Sequence, residues 1–357
     1  MLVLYAIVLA IFSVYSYVLV EPGFEPFQNP ALTALQHAIT NFGHTQRSAS
    51  VLMYLLLISA LLFFHLWFVK RAKSINLKSI VIVAGVILFF SYPFLSRDIF
   101  NYMFYAKIVT FYHQNPYAMN PLSFPSDPSL KYVVVPHILF PYGPTYLAVS
   151  LIPSLLSGGN MIASYFLFKL LSIGTYATGA YILGKWKKEW GVFFATSPII
   201  LVEGVINAHN DLFTLTVALW GIYFLFHKKE ALGRVFLLLA GFIKFFGLPL
   251  SIIGRTHKSV GTILALGLTI GMLFVIAASH GIFPWYFLVL FAFIPYWFDV
   301  IKKYQFFYFG LLLSYVFYIE TGEWFLAFFY QMIFGSLVIN FIYNMTNGFF
   351  IRRIHKK

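Results

Sequence analysis

The chain has 357 residues, of which 61% are apolar, 21% aromatic and only 10% charged, with a mean hydropathy of +0.83. Soluble domains carry about 25% charged residues, so the composition excludes an ordinary soluble enzyme, a disordered chain and a nucleic-acid module. The net charge of +13 sits mostly in short connections between apolar runs, and the lack of cysteine excludes disulfides and thiolate metal sites.

In chain order, 1–20 is apolar without a basic leader or an A-x-A cleavage signal and reads as a retained span. Further spans are expected at 51–69, 79–95, 160–183, 190–206, 211–227, 260–279, 285–300, 306–320 and 324–343. The stretch 146–157 would be about 18 Å long as a helix, short of the roughly 30 Å hydrocarbon core, and reads as interfacial or re-entrant. Segment 235–253 holds Lys244 among Gly241, Gly247 and Pro249. It reads as a broken hairpin, because a simple crossing would reverse the side of every later basic cluster.

Those clusters are Lys70, Arg71, Lys73 and Lys78; Lys185, Lys187 and Lys188; Lys228, Lys229 and Arg234; Arg255 and Lys258; Lys302 and Lys303; and Arg352, Arg353, Lys356 and Lys357. Cationic short loops mark the cytoplasmic side. The expectation is an all-α polytopic membrane protein of about ten transmembrane helices plus re-entrant or interfacial helices. Both termini are cytoplasmic and the loops 21–50 and 96–145 external. No internal repeat or second domain is visible, so 1–357 reads as one domain.

The eleven acids sort by place. Glu21, Glu25, Asp127, Glu320 and Glu323 fall in external loops or at span ends, and Glu189, Glu230 and Asp299 beside cytoplasmic cations; all eight read as solvated charges. Asp98, Glu203 and Asp211 fall at outer span ends, where an ionisable group is expensive and a functional candidate. Asp98 follows Arg97, either as a capping ion pair or as a general base. Asp211 closes the polar knot Asn207-Ala208-His209-Asn210-Asp211, with Glu203 one turn earlier; a helix-end turn explains Asn and Asp but not the histidine. A carboxylate–histidine metal site is conceivable, although His209 and Asp211 alone supply few ligands for one. Lys169 reads as snorkelling outward, and Lys244, at the hairpin bend, as a partner for a phosphate.

The long loop reads Ser96-Arg97-Asp98-Ile99-Phe100-Asn101-Tyr102, then Ala106-Lys107, Asn115-Pro116-Tyr117 and Pro141-Tyr142-Gly143-Pro144. It resembles the first large external loop of GT-C superfamily glycosyltransferases, and most closely the polyprenyl-phosphate-mannose-dependent mannosyltransferases of bacteria and archaea. Glu203, the His209-Asn210-Asp211 element, Lys244 before Pro249, and Pro284-Trp285-Tyr286 follow in the order of that group. Many relatives carry two adjacent acids where this chain has Arg97-Asp98, and a basic residue near the loop tyrosine where it has Asn101-Tyr102.

The resemblance implies a GT-C-like fold and transfer of one hexose, mannose first, from a polyprenyl-phosphate sugar to an acceptor hydroxyl. It places the site on the outer face of a bacterial or archaeal cell membrane. Asp98 would be the base of an inverting displacement. Lys244, Arg97 and His209, in that order, would meet the leaving phosphate. Tyr102, Asn115, Tyr117, Tyr142, Glu203, Asp211, His280 and Trp285 complete the expected substrate-binding set. The expected partners are the lipid-linked donor, a lipid or glycan acceptor and the bilayer, with no nucleic acid. No cofactor is firmly implied, and a divalent metal is left open. The alternatives are a secondary transporter or lipid flippase, a non-catalytic envelope scaffold, and the same fold with another lipid-linked sugar.

Overall fold

The computed structural model describes residues 1–354, with side chains described for all but His280 and residues 347–354. The side chains of His280, Arg352 and Arg353, and all of Lys356 and Lys357, therefore lie outside the described residues. Among the described residues there is no strand. The helices are α1 (Leu2–Tyr15), α2 (Pro30–Thr45), α3 (Arg47–Lys70), α4 (Leu77–Leu88), α5 (Asp98–Thr110), α6 (Pro144–Leu156), α7 (Met161–Trp186) and α8 (Lys188–Thr196). They continue as α9 (Asn210–Phe226), α10 (Glu230–Gly241), α11 (Val260–His280), α12 (Ile294–Lys303), α13 (Gln305–Leu313), α14 (Val316–Thr321) and α15 (Leu326–Ile354).

Among the described residues, six helical segments are long and apolar enough to cross a membrane: Leu2–Leu19, Arg47–Lys70, Met161–Trp186, Val260–Ser279, Pro284–Lys303 and Leu326–Thr346. A seventh arises if α8 and the π-helix Ile200–Ile206, bent by 67° at Pro198, count as one span. The protein is thus a helical multi-pass membrane protein. The other expected spans correspond to short or interrupted elements, namely α4, α9 and the pair α13 and α14.

Two expectations need correction. The span 79–95 is helical only to Leu88, because Pro93 disfavours helix in the residues before it. Side chains recover the backbone groups this releases: Tyr17 donates to Phe90 O at 2.7 Å, Tyr165 to Ser91 O at 2.7 Å, and Tyr92 N to Ser16 Oγ at 2.7 Å. The apolar body of the protein tolerates irregular backbone only when it is satisfied in this way. Second, the loop 21–50 contains α2. Asn29 caps it by accepting from Ala31 N at 2.9 Å, with Pro30 in the first position.

Basic connections meet at one end of the bundle. Lys188 Nζ donates to Lys73 O at 2.8 Å, and Lys302 Nζ reaches Glu189 at 2.6 Å. The segment after α10 turns at 242–244 and comes back as a 3-10 stretch, Phe245–Ile252. Its return is fixed by Arg255 on Glu230 at 2.6 Å and by Arg234 donating to Ser251 O and Ile253 O at 2.8 and 2.7 Å. Lys244 therefore stands at the bend of a hairpin, at the end of the bundle opposite the basic connections.

Two charged residues sit differently from expectation. Lys169 does not snorkel: it is fully buried, donating to Ser91 Oγ at 3.0 Å, Val205 O at 2.6 Å and Ile206 O at 3.0 Å. It satisfies carbonyls that a π-helix end leaves free. Asp127 is not a solvated loop charge. It is buried, binding Lys107 Nζ at 2.5 Å, Tyr112 Oη at 2.7 Å and Ser129 N at 2.8 Å. Burial alone would raise its pKa, but the Lys107, Ser129 and Tyr112 hydrogen bonds outweigh that and hold the carboxyl below its ordinary range. The acid fastens the long loop to α5.

Candidate functional site

Asp98 opens α5, where the first-turn amides favour an acid. Its neighbour Arg97 turns away and pairs with Glu21, so Arg97 and Asp98 do not form the local ion pair that adjacency allowed. Asp98 accepts from Asn101 Nδ2 at 3.3 Å, and its side chain keeps 24% of its surface exposed. Burial pushes its carboxyl up to about 6. The Lys244 ammonium pulls it down, the Asp211 charge adds to the rise, and the Tyr102 hydroxyl pulls down. A carboxylate with a pKa near 6 is ionised at neutral pH and basic enough to take a proton in a transition state.

The His209 element is built by a break in helix geometry. After Pro198 the chain winds as a π-helix, whose end is closed by Asn207 N on Val202 O at 2.8 Å and His209 N on Glu203 O at 3.0 Å. Ala208 between them has φ +56°, a left-handed conformation costly for a residue with a Cβ; such strain gathers at functional sites. The distortion brings His209 forward between two acids. Its Nδ1 lies 3.6 Å from Asp98 Oδ2, and its Nε2 lies 3.4 Å from Glu203 Oε2. Glu203 is fully buried and takes a 3.0 Å hydrogen bond from Asn207 Nδ2, while Asn207 Oδ1 accepts from Leu95 N at 3.3 Å. Trp285 stacks on the imidazole at 4.2 Å and on Phe283 at 4.7 Å.

Lys244 lies across the site, 2.7 Å from Asp211 Oδ2. Its ammonium faces Tyr286 at 4.8 Å, Phe246 at 5.0 Å and Tyr142 at 5.9 Å, an aromatic enclosure that suits a cation. Tyr142 arrives there because the Tyr-Gly-Pro corner docks on the hairpin bend. Gly143 N donates to Ile243 O and Thr145 N to Phe242 O, both at 3.1 Å. A Cβ on Gly143 would stand 2.0 Å from Phe242 O, which is why glycine occupies this place. Tyr102 meets Tyr142 and Tyr146 edge-on at 5.3 and 5.1 Å.

The structure thus gathers Asp98, Tyr102, Tyr142, Glu203, His209, Asp211, Lys244 and Trp285 at one end of the bundle. Tyr117 reaches its edge by donating to Tyr142 O at 3.1 Å, and Asn115 supports Tyr117 through an Asx turn to its amide at 3.0 Å. Arg97 is held by Glu21, and the side chain of His280 lies outside the described residues. Sequence reasoning did not single out Asn207, Phe283, Phe246, Tyr286 or Tyr146. Asn207 had a signal in the polar knot and Tyr286 in its place beside Trp285; Phe283, Phe246 and Tyr146 had none among so many aromatics.

Among the described residues no three His, Asp or Glu side chains are placed to hold one metal ion. Asp98 and Glu203 address opposite nitrogens of one imidazole, and Asp211 is engaged by Lys244. The chemistry on offer is a carboxylate that accepts a proton beside a lysine that can meet an anion. A crevice bounded by Ile99, Tyr146, Phe168, Asn210 and Phe213 also reaches His209.

A family model described as "Alpha-(1->6)-mannopyranosyltransferase, N-terminal domain" matches residues 6–255. The matched stretch contains Asp98, Glu203, His209, Asp211 and Lys244 and ends before Trp285. No curated protein and no solved structure matches the chain.

Proposed function

The chain belongs to the alpha-(1->6)-mannopyranosyltransferase family, and from that membership we propose that it transfers mannose from a polyprenyl-phosphate donor to an acceptor hydroxyl at the outer membrane face. Asp98 removes the acceptor proton as the hydroxyl oxygen attacks the anomeric carbon. The bond to the phosphate oxygen breaks in line, so the configuration inverts. Lys244 meets the phosphate that leaves, exchanging its bond to Asp211 for one to the departing oxygen.

The observation that carries this reading is the pairing of a part-exposed carboxylate, Asp98, with Lys244 in one site, the base and the anion partner of such a displacement. The lipid-linked form of the donor draws support from an apolar cleft of about 480 Å³ among α11, α13 and α15. Ile282 and Phe287, which line it, flank the Phe283–Trp285 stack beside His209. An isoprenoid chain in the cleft would leave its phosphate at the site. The outward orientation draws support from the basic connections at the opposite end.

The test supplies membranes containing the protein with mannose linked either to polyprenyl phosphate or to a nucleotide. Transfer from the lipid-linked donor alone, with donor affinity weakened in Lys244→Ala, is the expected result. Use of the nucleotide sugar, or unchanged donor affinity in Lys244→Ala, would overturn the reading.

A further inference from the structure

Glu203 was expected to touch substrate, yet it is fully buried behind His209 and no Lys or Arg pairs with it among the described residues. Buried carboxyls need a hydrogen-bonding explanation. Its surroundings are Asn207 Nδ2 at 3.0 Å, His209 Nε2 at 3.4 Å and the hydroxyl of Tyr315, the residue just before α14, which faces it. The opposite nitrogen of the same imidazole addresses Asp98 at 3.6 Å, and Trp285 covers the ring face.

A neutral imidazole carries one N–H, whereas two carboxyl groups face its two nitrogens. Both contacts are attractive only when a second proton lies in the array. Asp98 must be ionised to act as a base, and a second proton on His209 would leave Glu203 a fully buried carboxylate with no Lys or Arg beside it among the described residues, so the second proton belongs on Glu203. Its O–H is then directed to Nε2, and Nδ1–H to Asp98. Asn207 donates to the same carboxyl oxygen, Oε2, and is itself held by the Leu95 amide. Both ring contacts are long for hydrogen bonds, as catalytic contacts often are before substrate binds.

Resting on the mannosyl-transfer reading, we infer that Glu203 is a positioning residue: as a neutral acid it fixes the ring plane and tautomer of His209, and His209 fixes the Asp98 carboxylate toward the acceptor hydroxyl. The acceptor proton passes to Asp98 Oδ1, the oxygen turned away from His209, and leaves through the exposed edge of the carboxyl. The array itself gains and loses no proton. Hydrogen-bond partners that orient a metal-bound histidine are worth about tenfold to hundredfold in activity, and Glu203, which orients His209 in the same way, is expected to be worth the same order.

The test compares Glu203→Leu, which ends the contact, with Glu203→Gln, which keeps an N–H donor for Nε2 although it sets an amide against Asn207. Glu203→Leu is expected to lower kcat by about tenfold to hundredfold with the donor KM within twofold, and Glu203→Gln to recover much of the loss. Loss expressed mainly in KM, no loss in Glu203→Leu, or no recovery in Glu203→Gln would each overturn the inference. Independently of turnover, ¹⁵N spectra of histidine-labelled protein, with His209 assigned by its loss in His209→Gln, should show an unprotonated Nε2 that accepts a hydrogen bond in wild type and not in Glu203→Leu. A protonated Nε2 in wild type, or the same signal in both, would refute the array even if the donor were misassigned. Inactive wild-type protein with the expected spectra would instead count against the transfer reading.

Discussion

Replacing Asp98 with asparagine should make the protein inactive and at the same time more stable. The Asp98 carboxyl is pushed up from 3.8 to about 6 by burial. Above pH 6 the folded protein therefore bears the cost of an ionised, part-buried group that the unfolded chain does not. At about 1.4 kcal/mol per unit, that cost is at most about 3 kcal/mol. The remaining exposure of the side chain, 24%, reduces it to about 1–2 kcal/mol. Asparagine keeps the shape and can still accept from Asn101, so Asp98→Asn should gain this amount, or about 1–3 °C in Tm.

The pH sign follows from the raised pKa. Between pH 6 and 3.8 the folded state binds more protons than the unfolded one, so this group's contribution to stability rises as pH falls through that window. The gain of Asp98→Asn over wild type should therefore be full at pH 7–8 and vanish by about pH 4. Asp127, whose carboxyl is held low, acts with the opposite sign and below this window, and it is common to both proteins. Thermal unfolding in detergent across pH, with the two proteins side by side, measures the difference. A destabilised Asp98→Asn, or a gain independent of pH, would refute the reasoning about the site's electrostatics.

Wild-type turnover should fall as pH drops through about 6, as Asp98 protonates; a pH–rate profile flat down to pH 5 would exclude it as the base. Gly143→Ala forces a Cβ into Phe242 O and should part Tyr142 from the Lys244 bend, lowering donor affinity at least tenfold while the protein still inserts. Binding of a lipid-phosphate sugar by the purified variant measures this. Asp127→Asn leaves the half-buried Lys107 without its counter-charge and should cost about 1–3 kcal/mol, seen as faster proteolysis within 111–140 before global unfolding.

Much of the architecture could be read from chain order and charge. The hairpin around Lys244 followed from parity of the basic clusters, and the Arg255–Glu230 pair shows the return it required. The Asn29-Pro30 start of α2 was visible as a cap followed by a first-turn proline, but its moderate hydropathy hid a helix inside an external segment. Lys169 and Asp127 were misread for one reason. Local sequence reports the cost of burying a charge but not the partners that offset it: Lys169 finds Ser91 and the carbonyls of Val205 and Ile206, and Asp127 finds Lys107 and Tyr112. The Asn207–Asp211 knot announced itself by polarity, while the π-helical winding of Ile200–Ile206 before it, which decides where His209 points, depends on the break at Pro198 and on Lys169 beneath it. Phe283 and Tyr146 could not be told from more than sixty other aromatic residues until the fold placed them.

The most direct test of the central claim is transfer of radiolabelled mannose from polyprenyl-phosphate mannose by purified wild-type protein and Asp98→Asn in lipid bilayers. Wild type is expected to transfer mannose, and the variant to lose about a hundredfold or more with donor binding retained. Near wild-type turnover in Asp98→Asn would contradict that claim.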